Sequence, residues 1–360
     1  MKTSYLTAGM RPGQLFRLIG RNRISARPGC ISRICFLAQS SIWSAFFSLV
    51  EKSTYARILK EVPVPPDPIF IIGHWRTGST FLHQLMNLDP NLAAPTLFQV
   101  AVPDSFLVSH RYYRPIFSTM VEKHRPMDMV KLGMDEPQED EYAIFRITDC
   151  SPLERIVFPK STGYFLLRND DFMPPPEKID QWSAAVTGFY RKLSFKTRKI
   201  IVSKNPFNSL RIPLLIKLFP NARFIHIGRN PLDVVPSTVN MWNIVAKQNA
   251  LNDNFAKPGI HDVVEAMENM HKIIQKDLAS LKSNRHTIVR FEDLEANPAE
   301  IMHQLYASIG LTFSPALSTA IEGFRNENLS FQKNTFLVSE ADRKLIISES
   351  TAYREYFGYL

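Results

Sequence analysis

Residues Ile69–His83 read IFIIGHWRTGSTFLH. A short apolar run of strand type enters a turn rich in glycine and hydroxyl residues, and the pattern then becomes helical. A strand–turn–helix of this kind gathers unpaired backbone N–H groups at the helix N-terminus and aims them at an anion. Arg76 adds a fixed positive charge to the turn, and Thr77, Ser79 and Thr80 add hydroxyls. A Walker phosphate loop would place a lysine directly after the glycine, to reach terminal phosphates, and a hydroxyl residue after that to hold magnesium. Here Gly78 is followed by Ser79-Thr80, and the cation stands two residues before the glycine. The turn therefore suits an anionic group held without a Walker-type metal. The competing reading is a turn that needs Gly78 only for its backbone angles.

A second segment has the same design. Ala222–Trp242 reads ARFIHIGRNPLDVVPSTVNMW. Arg229 closes the strand, Asn230 is placed to cap the helix, and Pro231 suits its first turn. Ser237 follows about two helical turns on. An arginine at a strand end with a serine nearby is suited to gripping a phosphate.

Together the two segments resemble the sulfotransferases that use 3′-phosphoadenosine-5′-phosphosulfate (PAPS). In that superfamily the first turn binds the 5′-phosphosulfate, and an Arg-Asn-Pro-x-Asp-Val-x-x-Ser segment, intact here from Arg229 to Ser237, binds the 3′-phosphate. Arg76, where cytosolic members carry lysine, is similar to the carbohydrate and tyrosylprotein branches and to many bacterial members. Lys204-Asn205-Pro206-Phe207 is similar to the Lys-Asp-Pro-Phe of tyrosylprotein sulfotransferases. Arg290-Phe291-Glu292-Asp293-Leu294, with Asn297-Pro298, looks like a later segment of the same enzymes. The resemblance covers roughly residues 65 to 340. It implies a P-loop-NTPase-like three-layer α/β fold, PAPS as co-substrate with PAP as product, and a hydroxyl acceptor on a small molecule, lipid or glycan.

The rest of the chain is compatible with that fold. Strand-like runs at 69–73, 199–203, 223–228 and 286–291 are short, apolar and separated by helical patterns, which predicts a mostly parallel sheet covered on both faces. Ligands of such sheets sit beyond the carboxyl ends of the strands, where Arg76, Lys204 and Arg229 fall. Four prolines in Val62–Pro68 form an extended connector between residues 1–61 and a single domain over 62–360. Pro174–Pro176 precedes a helix expected near Glu177, and about 90–195 is assigned to substrate-binding elaboration.

Residues 1–61 pose a separate question. The net charge of +9 is concentrated in the first fifty residues, where Lys2, Arg11, Arg17, Arg21, Arg23, Arg27 and Arg33 meet no acidic residue, leaving +2 on the remainder. Such an arm would suit anionic lipid headgroups or another polyanion; the alternative is a solvated extension or a helix packed on the domain. Cys35–Val50 is apolar over sixteen residues, short of the roughly 20 that span a bilayer. Ser40, Ser41, Ser44 and Ser48 line one face, which predicts an amphipathic helix docked on its own domain rather than a span. No signal-peptide cleavage pattern follows it, and a type II membrane anchor is the minority alternative. Three cysteines, Cys30, Cys35 and Cys150, cannot all pair internally and favour a reducing compartment. The expectation is a cytoplasmic protein, with peripheral contact at a membrane surface as an option. No metal-ligand spacing and no nucleic-acid motif is present, so neither partner is expected.

Sulfuryl transfer needs donor and acceptor held in line, cations for charge growing on the leaving phosphate, and a base for a hydroxyl acceptor. Arg76, with the backbone N–H groups of residues 77–80, is the candidate for the leaving phosphate. Lys204 is the candidate for the bridging oxygen or the sulfuryl group. Tyrosylprotein sulfotransferases carry a glutamate about twenty residues beyond the first turn, where this chain has Pro95-Thr96-Leu97-Phe98. The local alternative is Asp135-Glu136-Pro137-Gln138-Glu139-Asp140-Glu141, with Pro137 expected to open a helix, Glu139 the first choice as base and Glu141 the second. Similar PQEDE segments in bacterial sulfotransferases support that order. His74 could contact the donor or act as the base but is read first as support for the turn, and Lys333 as a 3′-phosphate or nucleotide contact. Two further readings stay open: a P-loop kinase of a small metabolite, and a catalytically idle nucleotide- or membrane-binding module.

Overall fold

The computed structural model describes residues 6–22, 28–120, 133–159, 172–251, 258–327 and 335–359. Its centre is a five-stranded, all-parallel sheet: β1 (Ile69–Ile72), β2 (Leu92–Ala93), β3 (Ile200–Lys204), β4 (Arg223–Gly228) and β5 (His286–Arg290) in the order β2-β3-β1-β4-β5. The predicted strands fall within a residue of the observed ones. β2, two residues long, carries too few side chains to leave a periodic signal.

Alternation explains how the sheet is covered. Ile69 and Ile71 of β1 enter one core with Val202, Ile225, Ile227 and Val289, while Phe70 and Ile72 enter the opposite core with Ile201 and Phe224. Both faces must be apolar for a parallel strand to be buried, and all four residues of β1 are. The first face is covered by α3 (Ser79–Asn87), α13 (Pro298–Ser308) and α14 (Pro315–Glu327). Over the second lie α4 (Leu97–Ala101), α5 (Phe106–Met120), α6 (Glu141–Thr148), α7 (Glu154–Val157), α8 (Ile179–Thr197) and α9 (Ile212–Leu218). A third cluster joins α10 (Pro231–Asn249), α11 (Ile260–Leu278), α15 (Glu340–Glu349) and α16 (Thr351–Phe357). The short α12 (Phe291–Ala296) follows β5 directly.

The N-terminal region is docked on the domain. α1 (Pro12–Gly20) and α2 (Pro28–Glu61) pack into the second core through Met10, Leu15, Leu18 and Leu37. The arginines expected to form a basic arm are largely committed internally. Arg11 pairs with Asp104 at 3.1 Å, Arg17 with Asp149 at 3.1 Å, and Arg21 with Asp149 and Glu154 at 2.7 and 2.5 Å. Arg33 donates to the Ala250 carbonyl. Lys2, Arg23 and Arg27 lie outside the described residues. The helix also extends well past the sixteen apolar residues, since α2 runs for 34. By length and composition Cys30–Glu61 is long and apolar enough to cross a membrane.

Candidate active site

The carboxyl ends of β3, β1 and β4, three neighbours in the sheet, carry Lys204, the Gly73–Gly78 turn and Arg229. The turn after β1 is built from unusual backbone. Gly73 has φ 135°, and a Cβ there would lie 2.5 Å from the Ile227 carbonyl oxygen. Gly78 has φ 86°, and a Cβ there would overlap the Phe291 ring at 2.0 Å. Arg76 adopts φ 69°, a left-handed conformation that costs a non-glycine residue about 1 kcal/mol and calls for compensation. Its side chain supplies some, since Nε donates to Ser237 Oγ at 2.9 Å. The two separately predicted anion-binding segments thus touch through Arg76 and Ser237.

The hydroxyls divide. Thr77 is fully buried, and its Oγ1 donates to the His74 carbonyl at 2.8 Å, so this side chain braces the turn instead of facing a ligand. Ser79 and Thr80 begin α3, whose N-cap, Gly78, supplies no side-chain acceptor. His74 is buried against Trp75, with Nδ1 at 3.0 Å from the Trp75 carbonyl, and burial lowers its pKa to about 4. It is a neutral support of the turn.

Arg229 stands over the Phe291 ring at 4.8 Å and reaches Asp233 at 3.3 Å, while its buried Nε has no hydrogen-bond partner. Asn230 caps α10 by accepting from Leu232 N at 3.0 Å. The turn is gripped from behind by the C-terminal helix: the Tyr353 hydroxyl accepts from Arg229 N at 2.8 Å and donates to Arg229 O at 3.0 Å. Glu292 accepts from Asn230 N and from the Tyr359 hydroxyl. The Arg290–Leu294 segment therefore acts as scaffold, Phe291 filling the space left by Gly78 and Glu292 holding the next turn. Nothing in the sequence marked Tyr353 or Tyr359 for this work; their tertiary placement is the only signal.

Across the cleft, the acidic segment docks on the end of β3. Gln138 N donates to Pro95 O, Leu97 N to Glu136 O, and Thr96 bridges Pro137 in antiparallel fashion. Pro137 thus pairs with another segment instead of opening a helix; α6 begins at Glu141. Glu139 lies in the loop, and its Oε1 accepts from Lys204 Nζ at 2.5 Å. Through this pairing, the chain around Pro95–Phe98 receives a carboxylate from a distant segment.

Glu141 has a different environment. It is fully buried in an ion pair with Arg211, with contacts of 2.5 and 3.1 Å, and accepts further bonds from Asn205 and Ser151. Burial alone would raise its pKa, but the Arg211 charge and these bonds outweigh that and hold it below the usual carboxylate range. Every oxygen it has is engaged, so the second-choice base is spoken for. Asp140, also buried, accepts from Tyr190 at 2.6 Å and Asn205 at 2.8 Å, and burial pushes its pKa up. Asn205 therefore holds both carboxyls while capping the turn after β3 through Phe207 N. Lys333 lies outside the described residues.

With this geometry in view, the comparisons are specific. A model of the sulfotransferase family matches residues 68–315, and the chain belongs to that family. An omega-hydroxy-beta-dihydromenaquinone-9 sulfotransferase, Stf3, of Mycobacterium tuberculosis is 27% identical over 344 residues, covering 95% of this chain and 88% of its own. Human carbohydrate sulfotransferase 5 is 26% identical over 280 residues, covering 70% and 64%. The crystal structure of sulfotransferase STF9 from Mycobacterium avium superimposes with a TM-score of 0.66 at 14% identity, over 99% of this chain and 92% of that one. The protein is a sulfotransferase, an enzyme that moves a sulfuryl group to a hydroxyl acceptor, on a three-layer α/β fold of P-loop type. The kinase and idle-module readings give way to it.

Proposed function

We propose that the sulfuryl donor is PAPS and that the β1 and β4 turns hold it. The observation that carries the reading is the orphaned Nε of Arg229, a buried cationic donor beside a capped helix start. A buried guanidinium donor left unpaired is costly, and a phosphate oxygen is the partner that suits it. Arg229 and Ser237 then serve the 3′-phosphate, with Lys333 added on sequence grounds. Arg76 and the N–H groups of Thr77, Gly78, Ser79 and Thr80 serve the 5′-phosphate, PAPS supplying an activated sulfuryl group on that phosphate. Lys204 neutralises charge on the leaving side. Glu139 accepts the acceptor's proton; its contact with Lys204 keeps base and cation at one point of the cleft.

The acceptor we favour is a hydroxyl on an apolar, lipid-like molecule. Support comes from the mycobacterial relative, whose named acceptor is a hydroxylated menaquinone and whose similarity extends over 95% of the chain. The family match begins at Pro68, the last residue of the proline connector, which supports a catalytic domain within 62–360 with 1–61 as an addition; 90–195 is taken as the acceptor side on sequence grounds. Cys30, Cys35 and Cys150 are free thiols, which supports a reducing, cytoplasmic setting.

Thermal unfolding with PAP, ADP and magnesium-ATP tests the donor. PAP alone is expected to raise the midpoint, and Arg229→Ala is expected to remove the rise. An equal response to magnesium-ATP, or a PAP shift that survives Arg229→Ala, overturns the assignment. Turnover of a hydroxylated polyprenyl quinol against an oligosaccharide then separates the acceptor classes.

A further inference from the structure

α2 is an amphipathic helix that faces the wrong way for a soluble protein. Its polar side is the docked one. Ser41 and Ser44 donate to the Met10 and Gly9 carbonyls at 2.7 Å each, and Ser40 accepts from Gly9 N. Farther along the same side, Glu51 accepts from Leu107 N and pairs with Lys192. Its apolar side is turned out: Ile31, Ile42, Trp43, Phe46, Leu49 and Val50 are exposed, Leu49 at 68% and Ile42 at 66%. Their spacing, at three and four residues from position 42 onward, puts them on one face opposite Leu37, Ser41, Ser44 and Glu51. Soluble surfaces rarely concentrate large apolar side chains in this way without a partner.

From the geometry we infer that this face of α2 docks on an anionic lipid bilayer, lying along the surface rather than crossing it. Charge decides the occupant. The helix holds only two acidic residues: Glu51, turned inward, and Glu61, at its end. The exposed residues that follow the apolar run include Lys52, Arg57 and Lys60, cations suited to lipid phosphates. A second copy of the chain offers these cations nothing. Parallel pairing sets like charges together, and antiparallel pairing sets them against residues 28–50, which contain no acidic side chain. A crossing helix is excluded by the docked serine face, whose bonds to residues 9 and 10 occupy one side. Among the described basic residues of the first fifty, Arg11, Arg17, Arg21 and Arg33 are used internally, so the contact is assigned to α2. If the acceptor is a lipid, as read above, the face also brings the enzyme to its substrate.

The full chain is mixed with sedimentable vesicles of phosphatidylcholine alone or with phosphatidylglycerol. Binding is expected on the anionic vesicles, and Phe46→Gln with Leu49→Gln is expected to weaken it roughly tenfold or more. Lys52→Glu with Arg57→Glu and Lys60→Glu is expected to abolish the preference for phosphatidylglycerol. Trp43 is half exposed, while Trp75, Trp182 and Trp242 are buried. A blue shift of tryptophan emission on vesicle addition, absent from Trp43→Phe, would therefore report this face. An unchanged PAP-induced stabilisation in every variant shows that each is folded, and keeps this outcome separate from the donor assignment. Vesicle binding that ignores Phe46 and Leu49 overturns the inference. So does failure to bind vesicles together with a dimer in solution that the same substitutions dissolve.

Discussion

The two walls of the cleft hold their functional groups by different means. On the β1 and β4 side, Arg76 and Arg229 sit on turns whose positions follow from glycine angles, a helix cap and neighbours within a few residues, with Tyr353 and Phe291 added from behind. On the β3 side, Glu139 and Asp140 end a loop and Glu141 begins α6, and each is fixed by a different distant residue: Lys204, Tyr190 and Arg211. Backbone geometry sets the first wall, with the Arg229–Asp233 pair at its edge, whereas three neighbouring carboxyls set the second, two of them paired with cations. Replacing a carboxylate on the β3 side should therefore leave the first wall standing, and Glu139 and Glu141 should fail in different ways.

The largest effect is expected from Glu139→Gln. The change removes the basic oxygen while keeping the shape, and general-base catalysis is typically worth about 10²–10⁴ in rate. Turnover should fall by that order, while the PAP-induced rise in melting temperature stays near wild type, because the nucleotide contacts lie on the other wall. Steady-state kinetics beside a PAP titration measures both. A variant that retains more than a tenth of the rate would move the base elsewhere, and the cleft would then have no divided labour to explain.

Glu141→Gln is expected to damage stability first. Breaking a buried, hydrogen-bonded ion pair from one side leaves Arg211 charged and uncompensated, which costs about 3–5 kcal/mol. Urea unfolding should show that loss, and adding Arg211→Met should recover part of it, since an apolar replacement no longer buries a lone charge. A loss under about 1 kcal/mol, joined to a large fall in turnover, would instead make Glu141 a catalytic group and erase the distinction between the two glutamates.

How much of this was legible follows from range along the chain. The strands β1, β3, β4 and β5, the α10 cap at Asn230 and the role of His74 in its turn all depend on neighbours close in sequence, and the residues announce them. Arg76 meeting Ser237 could be anticipated only as two segments converging on one ligand, since no local pattern specifies a contact across 161 positions. The Thr77 hydroxyl was misassigned because a hydroxyl in an anion-binding turn reads the same whether it points outward or back to a carbonyl. Pro137 was expected to start a helix, a sound local rule that lost to pairing with Thr96. The serine face of α2 was recognised, but its direction was not, because hydrophobic periodicity gives the faces of a helix without saying which one meets the protein. Asn205, Arg211 and Tyr190 organise the acidic loop through tertiary contacts alone.

The smallest expected effect separates the walls by acid. His74 is neutral in the folded protein, its pKa lowered by burial from 6.5 to about 4. Below pH 6.5 the unfolded chain takes up a proton that the folded chain refuses, so this residue's contribution to stability falls as the pH drops towards 4 and then levels off. At about 1.4 kcal/mol per pH unit, lowering the pH from 7 to 5 costs about 2 kcal/mol at this site. His83, with a pKa lowered to about 3 by burial and by the nearby Lys204 charge, adds a second loss of the same sign. Glu141 behaves alike for the opposite reason: its lowered pKa favours the folded state, and that contribution is lost as the pH falls below 4.5, overlapping the lower end of the histidine window. Urea midpoints of wild type and His74→Gln at pH 7 and pH 5 resolve the contribution. The variant should start less stable yet lose about 2 kcal/mol less on acidification. An equal loss in both proteins would mean that His74 takes up its proton in the folded state, and the β1 turn would then depend on charge as the β3 wall does.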